Sequence, residues 1–440
     1  MSPDRFDTII VGARCAGAPL AIHLTRAGQR VLLLDAGKLP SDHPISTHFV
    51  SAVGVEWLDD LGVIAEVRRL SPPSRSVRLD FDGDPLDVRF QRGRAGHCIR
   101  RLHLDRLLQD AAVQAGATLR DRTKVVGLLR EGGRVVGVEA VHDGAPQELR
   151  ARIVVGADGR NSTVAKLTGA KEYYGYDSPR FGYWGYFHSP RAWATDPALA
   201  PFDAYLGFSK DQCLRFVFQT DGDLLVVGVN PLLSSLASWR GRHEEAFLEA
   251  ARSSPVTASL VESPREGKLM GMISSRFFFR EAAGPGFALV GDAGLHKDPT
   301  PGLGITDALR DAQSLARAIL APGDVEAAVV RYWRQRDVDS IDLFHFARQL
   351  ADPGYFSPLN RLLHQRAPRS PEVMARLSAQ ADRELSPFAV LTPGVALRWV
   401  AGAALRGNLG VVRDFFAIGK RNAELQRARA ERVALLGSSR

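Results

Sequence analysis

Cysteine is scarce in this chain: 440 residues contain three, Cys15, Cys98 and Cys213. Their odd number and wide separation exclude a disulfide framework and a zinc knuckle, so no metal centre is expected, and they fit a reducing cytoplasm. Long apolar runs are missing as well. The nearest approach to the roughly 18 apolar residues of a membrane span is Val395–Leu405, which Arg398 interrupts. The chain enters its first apolar run at Phe6 without the longer stretch and cleavage site of a secretion signal. A cytoplasmic protein with no stable membrane association is the expectation, and the segment Val395–Phe416 reads as a packing helix, since its arginines do not form one basic face. No basic run accompanies the net charge of +8. The arginines are spread along the chain, which argues against a nucleic-acid partner and leaves a modest positive field suited to an anionic cofactor. Repeats and low-complexity tracts are absent.

What is present points to an α/β fold. A hydrophobic fraction of 45% is ample for a sizeable core, and the length suggests two intertwined domains. Phe6–Val11 is a short apolar run, Ala16–Ala27 has helical spacing, and Arg30–Asp35 is a second β-rich run, which together predict a βαβ unit. The turn between its first two elements is Gly12-Ala13-Arg14-Cys15-Ala16-Gly17. It fits the dinucleotide pattern GxGxxG at the first and third glycines, with Arg14 at the second. Such a turn must be tight, and its backbone must approach a pyrophosphate whose charge faces the helix N-terminus. Arg14 either adds a charge-assisted contact to phosphate or pairs elsewhere in the protein. Asp35 closes the second strand 18 residues after Gly17, where a carboxylate accepts ribose hydroxyls and disfavours the 2′-phosphate of NADP.

Further along, Ser76–Phe90 predicts a hairpin around Gly83-Asp84-Pro85. Leu104–Ala115 reads as a helix, Val125–Leu129 and Val135–Val141 as a meander, and Arg152–Gly156 as a buried strand. From Tyr173 to Lys268 the texture is aromatic-rich and strand-like, with one helix at His243–Arg252. Phe287–Val290 and Ile305–Leu320 form a second strand-turn-helix element, and the chain beyond Val325 reads as helical. The expected division is a discontinuous cofactor domain (1–75, 96–172 and 269–330), a mixed β-sheet substrate domain (76–95 and 173–268) and a helical C-terminal region (331–440).

Two later strands end in aspartates, in Gly156-Ala157-Asp158-Gly159-Arg160 and Gly291-Asp292-Ala293, at the carboxyl ends where open α/β sheets bind ligands. With the first turn, these motifs resemble the flavoprotein family of para-hydroxybenzoate hydroxylase and its relatives, over roughly residues 6–340. The resemblance implies a FAD-binding, Rossmann-like domain of the glutathione-reductase type and a non-covalent FAD held by Gly12, Arg14, Cys15, Ala16, Gly17, Asp35, Arg101, Val125, Asp158 and Asp292. Arg101 stands in Arg-Leu-His-Leu-Asp at the start of a helix, and Val125 matches a backbone contact to adenine. Pro299 would flank the site of oxygen chemistry, while Gly302, Leu303, Gly304 and Ile305 would bring backbone amides and a helix N-terminus to the flavin's pyrimidine edge. Thr306 and Leu295 depart from the asparagine and histidine common among relatives.

The implied reaction is insertion of one oxygen atom from O₂ into an aromatic or polyketide-like small molecule through a flavin C4a-hydroperoxide. NAD(P)H would act as a transient reductant, since no second glycine-rich βαβ unit follows the first; a separate flavin reductase and a homodimer stay open. His48, in Ser46-Thr47-His48, is the titratable group expected beside the flavin, or else a hydrogen-bonded loop histidine. Tyr183, Trp184, Phe216 and Phe218 are expected either to line the substrate side or to pack the sheet. Two rivals remain. The geranylgeranyl-reductase motif PxxYxWxFP is echoed only at Pro179 and Trp184. The halogenase signature WxWxIP is missing, and only Lys38 and Lys124 stand before the Asp-Gly motif as candidate lysines.

Overall fold

The computed structural model describes residues 5–41, 46–189, 203–273 and 275–437. Its first strand, Arg5–Val11, is central to a sheet because the run Thr8–Val11 is buried on both faces, as strands covered by helices are. Val31–Leu34 pairs with it in parallel on one side and the end of Ala145–Gly156 on the other, and helix Gly17–Arg26 makes the first crossover. Thr118–Arg120 and Phe287–Leu289 extend the parallel order outward. The strand Ala145–Gly156 is longer than the sequence reading gave it. Its last four residues are buried in the parallel core, while its first half alternates toward solvent and pairs antiparallel with Arg134–His142, which pairs in turn with Thr123–Glu131. One strand therefore carries both the core and the predicted meander, and the parallel carboxyl ends at Val11, Leu34, Gly156 and Leu289 open toward one edge.

A second sheet of seven strands among the described residues runs in the order Arg265–Met272, Gly182–His188, Leu224–Asn230, Leu214–Gln219, Ala204–Phe208, Ser76–Phe81 and Asp84–Arg89. The predicted hairpin, observed over Ser76–Arg89, joins it by the parallel pairing of Ser76–Phe81 with Ala204–Phe208. Strand Arg265–Met272 continues across position 268/269, with a register irregularity against Gly182–His188 between Glu266 and Met270. One face of this sheet packs on helix His243–Arg252 through Phe181, Phe187, Val217 and Phe247. The opposite face gathers Phe49, Trp184, Tyr186, Phe216 and Phe218.

From Gly304 onward the long elements are helices: Gly304–Leu320, Val325–Ala351, Pro358–Arg366, Pro371–Ala381, Pro393–Ala404 and Leu409–Gly437. Prolines that punctuate the sequence here start helices. Pro358, Pro371 and Pro393 sit in first turns, where a missing N–H costs nothing. No described helix is long and apolar enough to cross a membrane.

Candidate functional site

The first turn is built around two backbone contacts that only glycine permits. Gly12 has φ +105°, and a Cβ there would stand 2.4 Å from the Ala157 carbonyl oxygen; one on Gly17 would stand 1.8 Å from the Gly12 carbonyl oxygen. The turn therefore packs directly on the Asp-Gly strand end, and the first amides of helix Gly17–Arg26 stay available to an anion, as helix N-termini do. Asp35 fixes the rim: its Oδ2 accepts the Ala13 N–H at 3.0 Å and its Oδ1 the Gly37 N–H at 2.9 Å. Arg14 donates to Ser41 Oγ at 3.1 Å, the second of its two expected uses. Val125 is buried on the strand that begins at Thr123, whose amide bonds to the Asp35 carbonyl at 2.8 Å, so it lies at the same corner.

Helix Arg101–Gln114 braces this turn from behind. Gln109 donates to the Ala13 carbonyl at 2.8 Å, and the Cys15 thiol donates to Asp105 Oδ1 at 3.3 Å. Burial pushes the Cys15 thiol up, which keeps it protonated. Arg101 holds the same carboxylate through Nε at 2.9 Å and Nη2 at 2.9 Å. Burial opposes the Arg101 charge, and its acidic neighbours, Asp105 foremost and Asp292 least, together more than offset it. The sequence reading noted Asp105 four residues after Arg101 without giving it a role and did not name Gln109; the i, i+4 and i, i+8 spacing on one helix face was the available signal.

His48 is fully buried with φ +62°. Its Nδ1 accepts the Arg101 N–H at 3.3 Å, and its Nε2 is hydrogen-bonded to the Tyr186 hydroxyl. An acceptor Nδ1 places the neutral ring's proton on Nε2, with the Tyr186 oxygen as its acceptor. The sequence reading found His48 but not Tyr186. Tyr183, expected either to line the substrate side or to pack the sheet, takes the packing position. Successive strand residues face opposite sides, so Tyr183 stacks on Trp239 at 5.6 Å and on His243 at 5.7 Å, away from the Trp184 face. Trp184, Tyr186, Phe216 and Phe218 share the other face, as the i, i+2 rule requires. The indole Nε1 of Trp184 is buried without a hydrogen-bond partner.

The Gly-Asp loop closes the site. Asp292 keeps a half-exposed carboxylate, 3.1 Å from His296 Nδ1. The Pro299 carbonyl accepts the Gly302 N–H at 2.8 Å, and Gly302 has φ +67° with Phe49 beside it. Phe49 stacks on Phe218 at 5.1 Å, so this ring links the loop to the aromatic face of the second sheet. Leu303 precedes helix Gly304–Leu320; a Cβ on Gly304 would meet nothing within 4 Å, and Ile305 is buried. Thr306 accepts the Ser51 N–H at 3.0 Å and ties that helix to the segment bearing His48. Asp158 turns inward: it accepts Ser162 Oγ at 2.5 Å and the Thr163 N–H at 2.6 Å, organising the start of helix Thr163–Thr168. Lys38 lies just beyond Asp35, and Lys124 is exposed on the meander, so neither reaches the aromatic face.

The model of the FAD binding domain family matches residues 5–329. Digeranylgeranylglycerophospholipid reductase of Methanosarcina mazei is 26% identical over 372 residues, covering 77% of this chain and 83% of the relative. A 6-methylpretetramide 4-monooxygenase of Streptomyces rimosus is 35% identical over 170 residues, 37% of this chain and 40% of its own length. Among solved structures, the flavin-dependent brominase Bmp2 superposes with a TM-score of 0.71 at 19% identity, covering 85% of this chain and 93% of that one. That likeness shows the fold alone.

Proposed function

The chain belongs to the FAD binding domain family and is an FAD-dependent oxidoreductase, and from that premise we propose that it is a monooxygenase acting on an aromatic or polyketide-like small molecule with NAD(P)H as reductant. The residues present fit the cofactor. Gly12 and Gly17 let the turn close against the Ala157 and Gly12 carbonyls, Gly304 opens at a helix N-terminus, and the Asp292 carboxylate stays half-exposed in the loop that leads to it. Asp35 would accept the ribose hydroxyls, the amides of residues 14–17 would receive the pyrophosphate, and Arg101 and Asp292 would help hold the cofactor beyond it. When bound, FAD supplies the redox chemistry and the activation of oxygen.

One observation carries the monooxygenase reading: a dry aromatic face joined to the flavin loop by Phe49, with a Tyr186–His48 hydrogen bond at its edge. Phe49, Trp184, Phe216 and Phe218 exclude water from the reacting centre. The Tyr186 oxygen, held by the His48 Nε2 proton, is placed to exchange a proton with a phenolic oxygen of the substrate, and His48 Nδ1 stays anchored on the Arg101 amide. Reduction of an isoprenoid double bond is the second reading, favoured by the reductase relative that spans most of the chain.

Oxygen uptake separates the two. The FAD-loaded protein with NAD(P)H and a panel of phenolic and polycyclic aromatic substrates should consume oxygen faster when one of them is present, and yield a product heavier by one oxygen atom. Saturation of an alkene under anaerobic conditions, with no substrate-stimulated oxygen uptake, overturns the proposal.

A further inference from the structure

The two last helices form a hairpin whose tip exposes apolar side chains that the rest of the fold does not cover. The scatter of its arginines assigned Val395–Phe416 to packing, and part of it does pack: Val400, Ala403 and Val411 are buried with Leu362. The remainder faces outward. Leu397, Ala401 and Leu405 recur at four-residue intervals, which aligns them on one side of the first helix. Leu409 and Phe416, seven residues apart, share a side of the second. Their exposures are 57% for Leu397, 90% for Leu405, 72% for Leu409 and 70% for Phe416. The chain turns at residues 405–409 between the two helices, so Leu405 and Leu409 stand at the tip and Leu397 and Phe416 about two helical turns from it.

Charge along the hairpin is predominantly positive. Between Pro393 and Arg421 the chain carries Arg398, Arg406, Arg413, Lys420 and Arg421 against Asp414 alone. Arg421 reaches toward Asp352 at 4.0 Å and Arg413 toward Asp414 at 3.9 Å; Arg398, Arg406 and Lys420 complete a cationic rim. Apolar residues ringed by cations suit a surface that offers hydrocarbon beneath anionic headgroups. A second copy of the same tip brings the same surplus of positive charge and is disfavoured. We propose that this hairpin tip docks the protein reversibly on an anionic lipid surface, with Leu397, Leu405, Leu409 and Phe416 entering the interface and the rim cations facing the headgroups. Because no described helix crosses a membrane, the contact is peripheral.

Flotation of the full-length, FAD-loaded protein tests this directly. Vesicles of phosphatidylglycerol in phosphatidylcholine should carry the protein upward, vesicles of phosphatidylcholine alone should not, and added salt should release it. The double variant Leu405→Glu/Phe416→Glu should lower vesicle partitioning at least about tenfold. Neutralising Arg406 or Lys420 to Gln should lower it about fivefold each. Retained flavin absorbance in each variant confirms that it is folded. The proposal is overturned if anionic vesicles fail to float the wild type, if the variants float equally well, or if light scattering shows a dimer that the double variant dissolves, which would make a second copy the occupant.

Discussion

Trp184 and Tyr183 are neighbours in sequence and face opposite sides of a sheet, which shows what residue-level reading resolves and what it leaves out. Residue type indicated aromatic density, whereas the choice between pocket and core depended on strand register, which paired Trp184 with Gly228 and aligned Phe216 with the same glycine. Period-two alternation was enough to separate the faces once the strand was known. Tyr186 was legible by the same rule, two residues beyond Trp184. His48 was found from its place in the chain, but its partner lies 138 residues away, a separation that no local pattern encodes. The pairing makes a sharp expectation. Tyr186→Phe removes the hydroxyl that receives the His48 proton while keeping the ring, so substrate-stimulated turnover should fall about a hundredfold, with flavin absorbance and affinity unchanged. Steady-state kinetics on phenolic substrates check this, and an unaltered kcat would assign the pair to packing alone.

At the scale of elements, the βαβ start, the helix His243–Arg252 and the hairpin Ser76–Arg89 were legible because each is short-range and strongly patterned. What covers the hairpin was not. Helix Pro358–Arg366 lies on it through Arg361, which holds Asp82 and Asp84 at 3.1 Å each, and through His364, whose Nδ1 meets the Asp84 carbonyl at 3.3 Å. Helix Pro371–Ala381 closes the same side, where Asp382 accepts the Gln91 N–H at 2.7 Å. Burial lowers the His364 pKa to about 4, and the Asp84 carbonyl only partly offsets it. An unfolded chain binds that proton near pH 6.5. The neutral ring therefore leaves stability intact above about pH 6.5, and the loss grows as pH falls toward 4, reaching on the order of 3 kcal/mol from this residue. Burial lowers His345 in the same direction, to about 4. Urea midpoints measured from pH 7 to pH 4 should decline steeply in the wild type and less steeply in His364→Gln. Parallel curves would show that His364 takes up its proton without unfolding the contact.

Across the whole molecule, the cofactor domain was legible because three motifs, at residues 12–17, 156–159 and 291–292, each fix a strand end, and the parallel sheet brings those ends to one edge. The C-terminal region was legible only as helix, since the apolar and charged contacts that dock it join residues distant in sequence. Asp307, in the first turn of helix Gly304–Leu320, gathers the charged ones. Burial opposes its ionisation, yet Arg383, Lys297 and Arg310 outweigh burial and hold its carboxyl well below the usual carboxylate range. Lys297 comes from the Gly-Asp loop at 2.6 Å and Arg383 from the C-terminal region at 2.5 Å. The same carboxylate thus joins the Gly-Asp loop, helix Gly304–Leu320 and the last third of the chain. Removing one cation from a buried ionised group leaves part of its charge uncompensated, so Arg383→Ala should lower stability by about 2–3 kcal/mol. It should also loosen the helices beyond residue 351 before the sheets, because the remaining Asp307 partners all belong to the cofactor side. Urea unfolding read together with limited proteolysis checks both parts: the midpoint should drop and early cuts should fall after residue 351. An unchanged midpoint with an unchanged digest would mean that apolar packing, not this ion cluster, seats the C-terminal region.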